Sequence, residues 1–199
     1  MYHDLFVYIV EIVYNKEIEP HLLDQSKIAS IDLGLNNLAA VTFNQSGLVP
    51  FLINGRPLKS INHFFNRQKA LFQAILKTGT SKQLQKLCTK RNFKVDDYLH
   101  KASRYLINKL IELNIGTLVI SKNEGWKQEM ACGRRNNQNF VQVPHARFID
   151  QITYKAELVG IQVIVNEESY TSQASFLDQD LIPSYQKGIN HTFSDKRIK

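Results

Sequence analysis

IASIDLGLNNLAAVT, residues 28 to 42, is the stretch that decides the fold. An apolar run, Ile28-Ala29-Ser30-Ile31, delivers one carboxylate, Asp32. Gly34 follows at once, and then a second apolar run from Leu38 to Phe43. Runs this short, bounded by Gly and Asn, read as a buried strand, a tight turn and a returning strand. Gly34 lets the backbone turn sharply or admit a ligand. Asp32 stands at the strand end, where a carboxylate can face a metal ion or a phosphate. The plainer reading is a hairpin whose acid only caps its turn, although such an acid is expected within the turn, among Asn and Gly.

Working outward, strands are expected at about 28–33, 38–43 and 48–53, the last two joined by Asn44-Gln45-Ser46-Gly47. Asn54-Gly55-Arg56-Pro57 breaks the pattern. A helix should run from Leu58 to Lys77, with Ile61, Phe64, Phe65, Leu71, Phe72 and Ile75 near helical spacing. A shorter basic helix is expected near 81–90 and another from Val95 to Asn114. Thr117 to Ser121 reads as a buried strand, and residues 124–143 are polar and irregular. Pro144 opens a helix that Gly160 closes. Ile161 to Val165 is the last clear strand, with loop from Thr171 onward. Upstream, Tyr2 to Tyr14 alternates like a strand and Pro20 begins a linker.

A three-strand meander opening on an acid-tipped strand, followed by strands alternating with helices, is the order of an RNase H-like α/β fold. Its strands would form one mixed sheet flanked by helices. Actin-like ATPases share that core but duplicate it, and Asp32-Leu33-Gly34 occurs once in 199 residues.

Charge is unevenly placed. The formal net charge is +7, yet residues 54–109 hold thirteen Lys or Arg against only Asp96 and Asp97. The remainder is net acidic, at −4. A basic block beside an acidic, strand-rich half suggests a polyanion laid along one face, with a pair of solvated helices as the bland alternative. Cys88 and Cys132 are the two cysteines, far apart and outside any CxxC, which excludes a disulfide scaffold and a cysteine-rich zinc site. No run approaches the roughly 20 apolar residues of a membrane span. The start lacks the features of a signal peptide, so a soluble intracellular protein without a membrane partner is expected.

Across about residues 28 to 199 the chain resembles the RuvC-like (RNase H-like) nuclease domain of the TnpB family. The likeness rests on Ile31-Asp32-Leu33-Gly34 with Asn36-Asn37-Leu38-Ala39, and on Asn54-Gly55-Arg56-Pro57-Leu58-Lys59-Ser60-Ile61-Asn62. It continues in Leu99-His100-Lys101-Ala102-Ser103-Arg104, in Tyr154-Lys155-Ala156-Glu157 with Gly160-Ile161, and in Glu167-Glu168-Ser169-Tyr170-Thr171-Ser172. Asn123-Glu124-Gly125-Trp126-Lys127-Gln128 and Asn137-Gln138-Asn139-Phe140 resemble one branch. These families are accessory transposases of insertion sequences, implied to be RNA-guided DNA endonucleases linked to DNA recombination. The partners implied are therefore DNA and a guide RNA. The location implied is a bacterial cytoplasm, on the nucleoid when DNA is bound.

The resemblance implies three carboxylates holding two Mg²⁺ (or Mn²⁺) ions about 3.5–4 Å apart, because these ions prefer hard oxygen ligands. Asp32 matches the first acid. The second acid of most relatives falls here on Ser121, whose hydroxyl cannot bridge two metals. A rearranged branch, including the Fanzor nucleases, resembles this chain in carrying a glutamate ahead of Tyr-Thr-Ser. By that likeness Glu168 is favoured over Glu167, with Glu124 the other candidate and a solvated loop the alternative.

Two further departures bear on function. No cysteine lies beyond Cys132, so no zinc ribbon or bound zinc is expected after Thr171-Ser172. The third acid of the family lies on a later helix, and Asp178, Asp180 and Asp195 read as solvated surface acids. The chain thus reads as a nuclease truncated at both ends, cutting DNA poorly or not at all. Residues 1–24 would end a recognition domain, and 25–166 would form the core with a basic helical insertion at about 56–114. Residues 167–199 would be loop. A non-catalytic nucleic-acid-binding module is the competing function.

Phosphate contacts are expected from Arg67, Lys69, Lys101 and Arg104 on the helices. Lys122, Lys127, Arg134 and Arg135 would add more after the fourth strand. Trp126 suits either base stacking or a core, His100 suits packing, and His145 shows no evident partner.

Overall fold

The structure, a computed structural model, describes residues 10, 12–15, 20–76, 79–122, 142–167, 174–175, 178–183 and 191–194. Its elements run β1 (Asp24–Leu33), β2 (Asn37–Phe43), β3 (Phe51–Asn54), α1 (Arg56–Leu76), α2 (Lys82–Glu112), β4 (Ile115–Lys122), α3 (His145–Glu157) and β5 (Gln162–Glu167). They build a five-stranded sheet in the order β3-β2-β1-β4-β5. The β1–β2 and β2–β3 pairs are antiparallel, and β4 joins β1, and β5 joins β4, in parallel. This is the mixed α/β sheet with flanking helices expected of an RNase H-like, RuvC-type fold.

β1 lies at the centre of the sheet, between β2 and β4, and buries one face against the helices. Ala29, Ile31 and Leu33 are within 3% of full burial. Their partners, Leu118 and Ile120 on β4 and Ala39 and Val41 on β2, share that face by register and are fully buried. Leu99, Leu106, Leu110, Phe148 and Ile152 of α2 and α3 complete the same core cluster. Each such side chain contributes about 1.5–3 kcal/mol relative to exposure. The alternating residues Ser30, Asp32, Val119 and Ser121 lie on the opposite face, half-buried or exposed.

Several boundaries differ from the sequence reading. The two helices expected at 81–90 and 95–114 are one helix of 31 residues, opened by Ser81, whose hydroxyl accepts from the Leu84 amide at 3.2 Å. α1 starts at Arg56 and takes Pro57 into its first turn, where the missing amide proton costs nothing. β3 begins only after Pro50, whose ring cannot donate to a ladder. The chain after Pro20 is not a free linker. The His21 amide donates to the Val159 carbonyl at 3.1 Å, and β1 already begins at Asp24. Of the strand expected over Tyr2–Tyr14, Val10 and residues 12–14 are described and form no strand; the rest lies outside the described residues.

Candidate active site and nucleic-acid interface

Parallel register sets out the candidate site. Ile31 pairs with Ile120, and Ile120 with Val165. One residue further along the three strands stand Asp32, Ser121 and Asn166, at the carboxyl ends of β1, β4 and β5. With strands about 4.8 Å apart, the outer members of this row are about 10 Å apart. Asp32 is exposed, Ser121 half-buried and Asn166 exposed. Glu167 pairs with Lys122, one row beyond. Glu168 and Glu124 lie outside the described residues.

The turn after Asp32 is held from three sides. The Gly34 amide donates to the Leu38 carbonyl at 3.3 Å. His145, at the start of α3 and 97% buried, brings Nε2 to 3.1 Å from the Gly34 carbonyl. This is the contact that sequence reasoning missed; the signal was its place beside Pro144 at a helix start. Gly55 lies so close that a Cβ there would stand 2.1 Å from the Leu35 carbonyl oxygen. Its amide donates to Asn36 O at 2.8 Å, and Lys59 Nζ donates to Asn36 Oδ1 at 2.7 Å. The Tyr98 hydroxyl donates to the Asn54 carbonyl. Two sequence motifs separated by almost twenty residues therefore meet at one turn, and that turn aims the strand end carrying Asp32.

A second pair of motifs meets away from the strand ends. Lys155 is 4% exposed, and its ammonium donates to Ser103 Oγ at 2.7 Å and to the His100 carbonyl at 3.0 Å. Ser103 Oγ in turn donates within α2, 2.8 Å from the Leu99 carbonyl. These residues clasp α3 onto α2. Burial, then the charge of Arg104, pushes the Lys155 ammonium below the ordinary lysine value. The folded chain therefore loses this proton at lower pH than the unfolded chain, which binds more protons in the window between the two values. Stability from this group rises with pH through that window, up to about 10.5. Urea midpoints measured from about pH 8 to 10 should show this upward slope in the wild type relative to Lys155→Met. Equal slopes would contradict it.

Of the expected phosphate-binding residues, Arg67, Lys101, Arg104 and Lys122 are exposed and Lys69 is half-buried. Lys101 already pairs with Asp97 at 2.8 Å. Lys122 ends β4 next to Ser121, one row beyond the strand-end row. Lys127, Arg134, Arg135 and Trp126 lie outside the described residues. Of the acids expected at the surface, Asp178 is exposed and Asp180 half-buried, both accepting hydrogen bonds, while Asp195 lies outside the described residues. The Ser175 amide donates to Asp180 at 2.8 Å and the Ser175 hydroxyl to Asp178 at 2.7 Å, while the Ser194 hydroxyl donates to Asp180 at 2.8 Å. Hydrogen bonding holds the Asp180 carboxyl below its ordinary value.

Among the described residues, no group of three His, Cys, Asp or Glu is placed to hold a metal ion. Asp32 offers one exposed carboxylate beside two neutral oxygen-bearing side chains, and a two-cation centre needs more than that. No described helix is long and apolar enough to cross a membrane.

Residues 11–127, more than half of the chain, match the OrfB_IS605 family model, described as a probable transposase. The chain belongs to that family. Residues 145–187 match the Cas12f1-like TNB domain. A TnpB-like protein of Methanocaldococcus jannaschii is 27% identical over 172 residues, covering 81% of this transposase-family chain and 59% of that relative. A solved Cas12f1–sgRNA–target DNA complex superposes at a TM-score of 0.58, with 17% identity, over 77% of this chain and 39% of that one. A CRISPR-Cas12f ternary complex gives 0.60 and 18%, over 82% and 32%. The chain thus spans about three-fifths of the TnpB-like relative's length. It is a TnpB-family protein with the fold of these neighbours.

Proposed function

We propose that this chain is the RuvC-type module of a TnpB-like, RNA-guided DNA nuclease, binding guide RNA and DNA across its strand ends and basic helices. The observation that carries the reading is the exposed Asp32 at the carboxyl end of the central strand, just before a turn fixed by Gly55, Lys59 and His145. Ligands gather outside the carboxyl ends of strands in open α/β sheets. Asp32 and Glu168 are the proposed ligands of Mg²⁺ or Mn²⁺, with Glu167 and Glu124 as the alternatives to Glu168. When bound, such ions activate water and stabilise the leaving oxygen of a phosphodiester. The rearranged position of the second acid follows the Fanzor-like branch of the resemblance.

One observation favours a weaker activity. Where most relatives place an acid, the strand-end row has Ser121, flanked by Asn166. A hydroxyl and an amide carry no charge to gather two cations. The second reading is accordingly a module that grips nucleic acid and cleaves it slowly. Plasmid incubated with the protein and Mg²⁺ should be cut weakly or not at all. Robust cutting that is lost with Asp32→Ala would overturn the second reading and support the first.

Binding itself has a separate test. Affinity for labelled duplex DNA should fall steeply with salt, with a slope of about −0.9 per neutralised phosphate. Lys122→Ala should reduce that slope by about one, whereas Lys101→Ala should change it less, because Lys101 is already paired with Asp97. Binding that ignores salt would show the basic helices to be merely solvated.

A further inference from the structure

The outer part of the α1–α2 hairpin carries a feature that the strand-end site does not use. Two open depressions flank a ridge made by Lys90 and Lys94. One, about 510 Å³, is lined by Lys86, Thr89, Lys90, Phe93, Lys94 and Asp97. The other, about 320 Å³, is bounded by Phe64, Phe65 and Leu87 and shares the same two lysines. Each depression has one open aromatic ring, Phe93 at 67% and Phe64 at 58% exposure.

Lys86, Lys90 and Lys94 follow one another at four-residue steps, about 6 Å apart along the helix. Like charges at this spacing weaken a helix rather than support it. Among the described residues none of the three pairs with a carboxylate. Arg91 is not part of this set, because its guanidinium is committed to Asn62 and the Gln142 carbonyl. A row of unpaired ammonium groups between two open rings matches a polyanion that also presents flat apolar faces. A duplex meets the first requirement and hides its base faces. A single strand meets both, since unstacked bases pack on aromatic rings while the backbone tracks the cations.

The lining of the groove also bears on sugar type. Asp97 lines it, with one oxygen held by Lys101 at 2.8 Å, and Thr89 adds a hydroxyl. A carboxylate beside a phosphate backbone is unfavourable unless it receives a donor, and the ribose 2′-hydroxyl is such a donor. We propose that this face of the hairpin is a binding groove for single-stranded RNA. Bases stack on Phe93 and Phe64, phosphates cross the Lys86–Lys90–Lys94 ridge, and Asp97 accepts from a 2′-hydroxyl. The proposal rests on the nucleic-acid reading above and assigns the hairpin its own ligand class.

The test uses the full chain and a short fluorescein-labelled oligouridine, compared with oligodeoxyuridine of equal length and with duplex DNA. RNA should bind more tightly than the matching single-stranded DNA, and Asp97→Asn should shrink that preference. Phe93→Leu and Phe64→Leu should each weaken RNA binding about tenfold while sparing duplex DNA. Oligonucleotides carrying 4-thiouridine should crosslink to the wild-type peptide that contains Phe93, a readout that needs no variant to fold. Unchanged affinity in both Leu variants, crosslinks confined to other elements, or equal binding of the two single strands would each overturn the proposal. Duplex binding without single-strand binding would sink the groove alone. Loss of both would sink the wider nucleic-acid reading with it.

Discussion

Replacing Gly55 with alanine is expected to cost about 3 kcal/mol of stability or more, through backbone overpacking that no rotamer can relieve. The added Cβ would stand 2.1 Å from the Leu35 carbonyl oxygen, 2.9 Å from its carbon and 3.1 Å from the Leu38 nitrogen. All three neighbours are main-chain atoms, so the turn between β1 and β2 must move away as a unit. That movement breaks the Gly55-to-Asn36 hydrogen bond of 2.8 Å and loosens Lys59 from the Asn36 side chain. Gly47→Ala is the natural comparison. Its φ of +93° is awkward for a side chain, yet nothing lies within 4 Å, so a cost of about 1–2 kcal/mol is expected. Urea unfolding should show a large midpoint drop for Gly55→Ala and a small one for Gly47→Ala, with unchanged slopes. Equal drops would show that Gly55 serves conformation rather than close approach.

Arg91→Leu should cost a similar amount, about 3 kcal/mol, because it strands the buried Asn62 acceptor and the carbonyl of half-buried Gln142 rather than merely removing a charge. Arg91 Nε donates to Asn62 Oδ1 at 2.9 Å, and Asn62 is 99% buried. Nη2 donates to the Gln142 carbonyl at 2.6 Å, and the guanidinium lies 5.8 Å from the Phe65 ring centre. The Asn66 and Gln142 side chains join alongside through reciprocal amide bonds of 2.8 and 3.0 Å. Arg91 thus ties α1 and α2 to the approach of α3. Burial lowers the guanidinium's proton affinity, and the charge of Asp96 opposes that shift. The check is a double-mutant cycle with Asn62→Leu, in which the second substitution should cost much less once Arg91 is gone. Full additivity would contradict the tie.

Arg91 also explains where the sequence misled. The buried stripe of α2 runs through Leu84, Val95, Leu99, Ala102, Leu106 and Leu110 at helical spacing. Arg91 occupies one turn of that stripe, so a cation interrupts the apolar period and the helix reads as two. Where the period was unbroken, as in Ala29, Ile31 and Leu33 against Ser30 and Asp32, strand, face and strand end were all legible. That the strands share one mixed sheet followed from element order and crossover rules. Register did not, because the pairing of Ile31 with Ile120 joins residues almost ninety positions apart, and no local pattern records it. Hence Asp32 was readable as an acid at a strand tip, while its row with Ser121 and Asn166 emerged only from the sheet. The contact of His145 with Gly34 was invisible for the same reason.

The central claim is that Asp32, at the end of β1, holds a divalent cation together with the acid that follows β5. Mn²⁺ binding by the full chain, followed by electron paramagnetic resonance in the presence of DNA, tests it directly. Wild type should show saturable binding that weakens at least about tenfold in Asp32→Asn and in Glu168→Gln and persists in Glu124→Gln. Binding that is untouched by Asp32→Asn, or that is lost with Glu124→Gln while Glu168→Gln is harmless, would contradict the account.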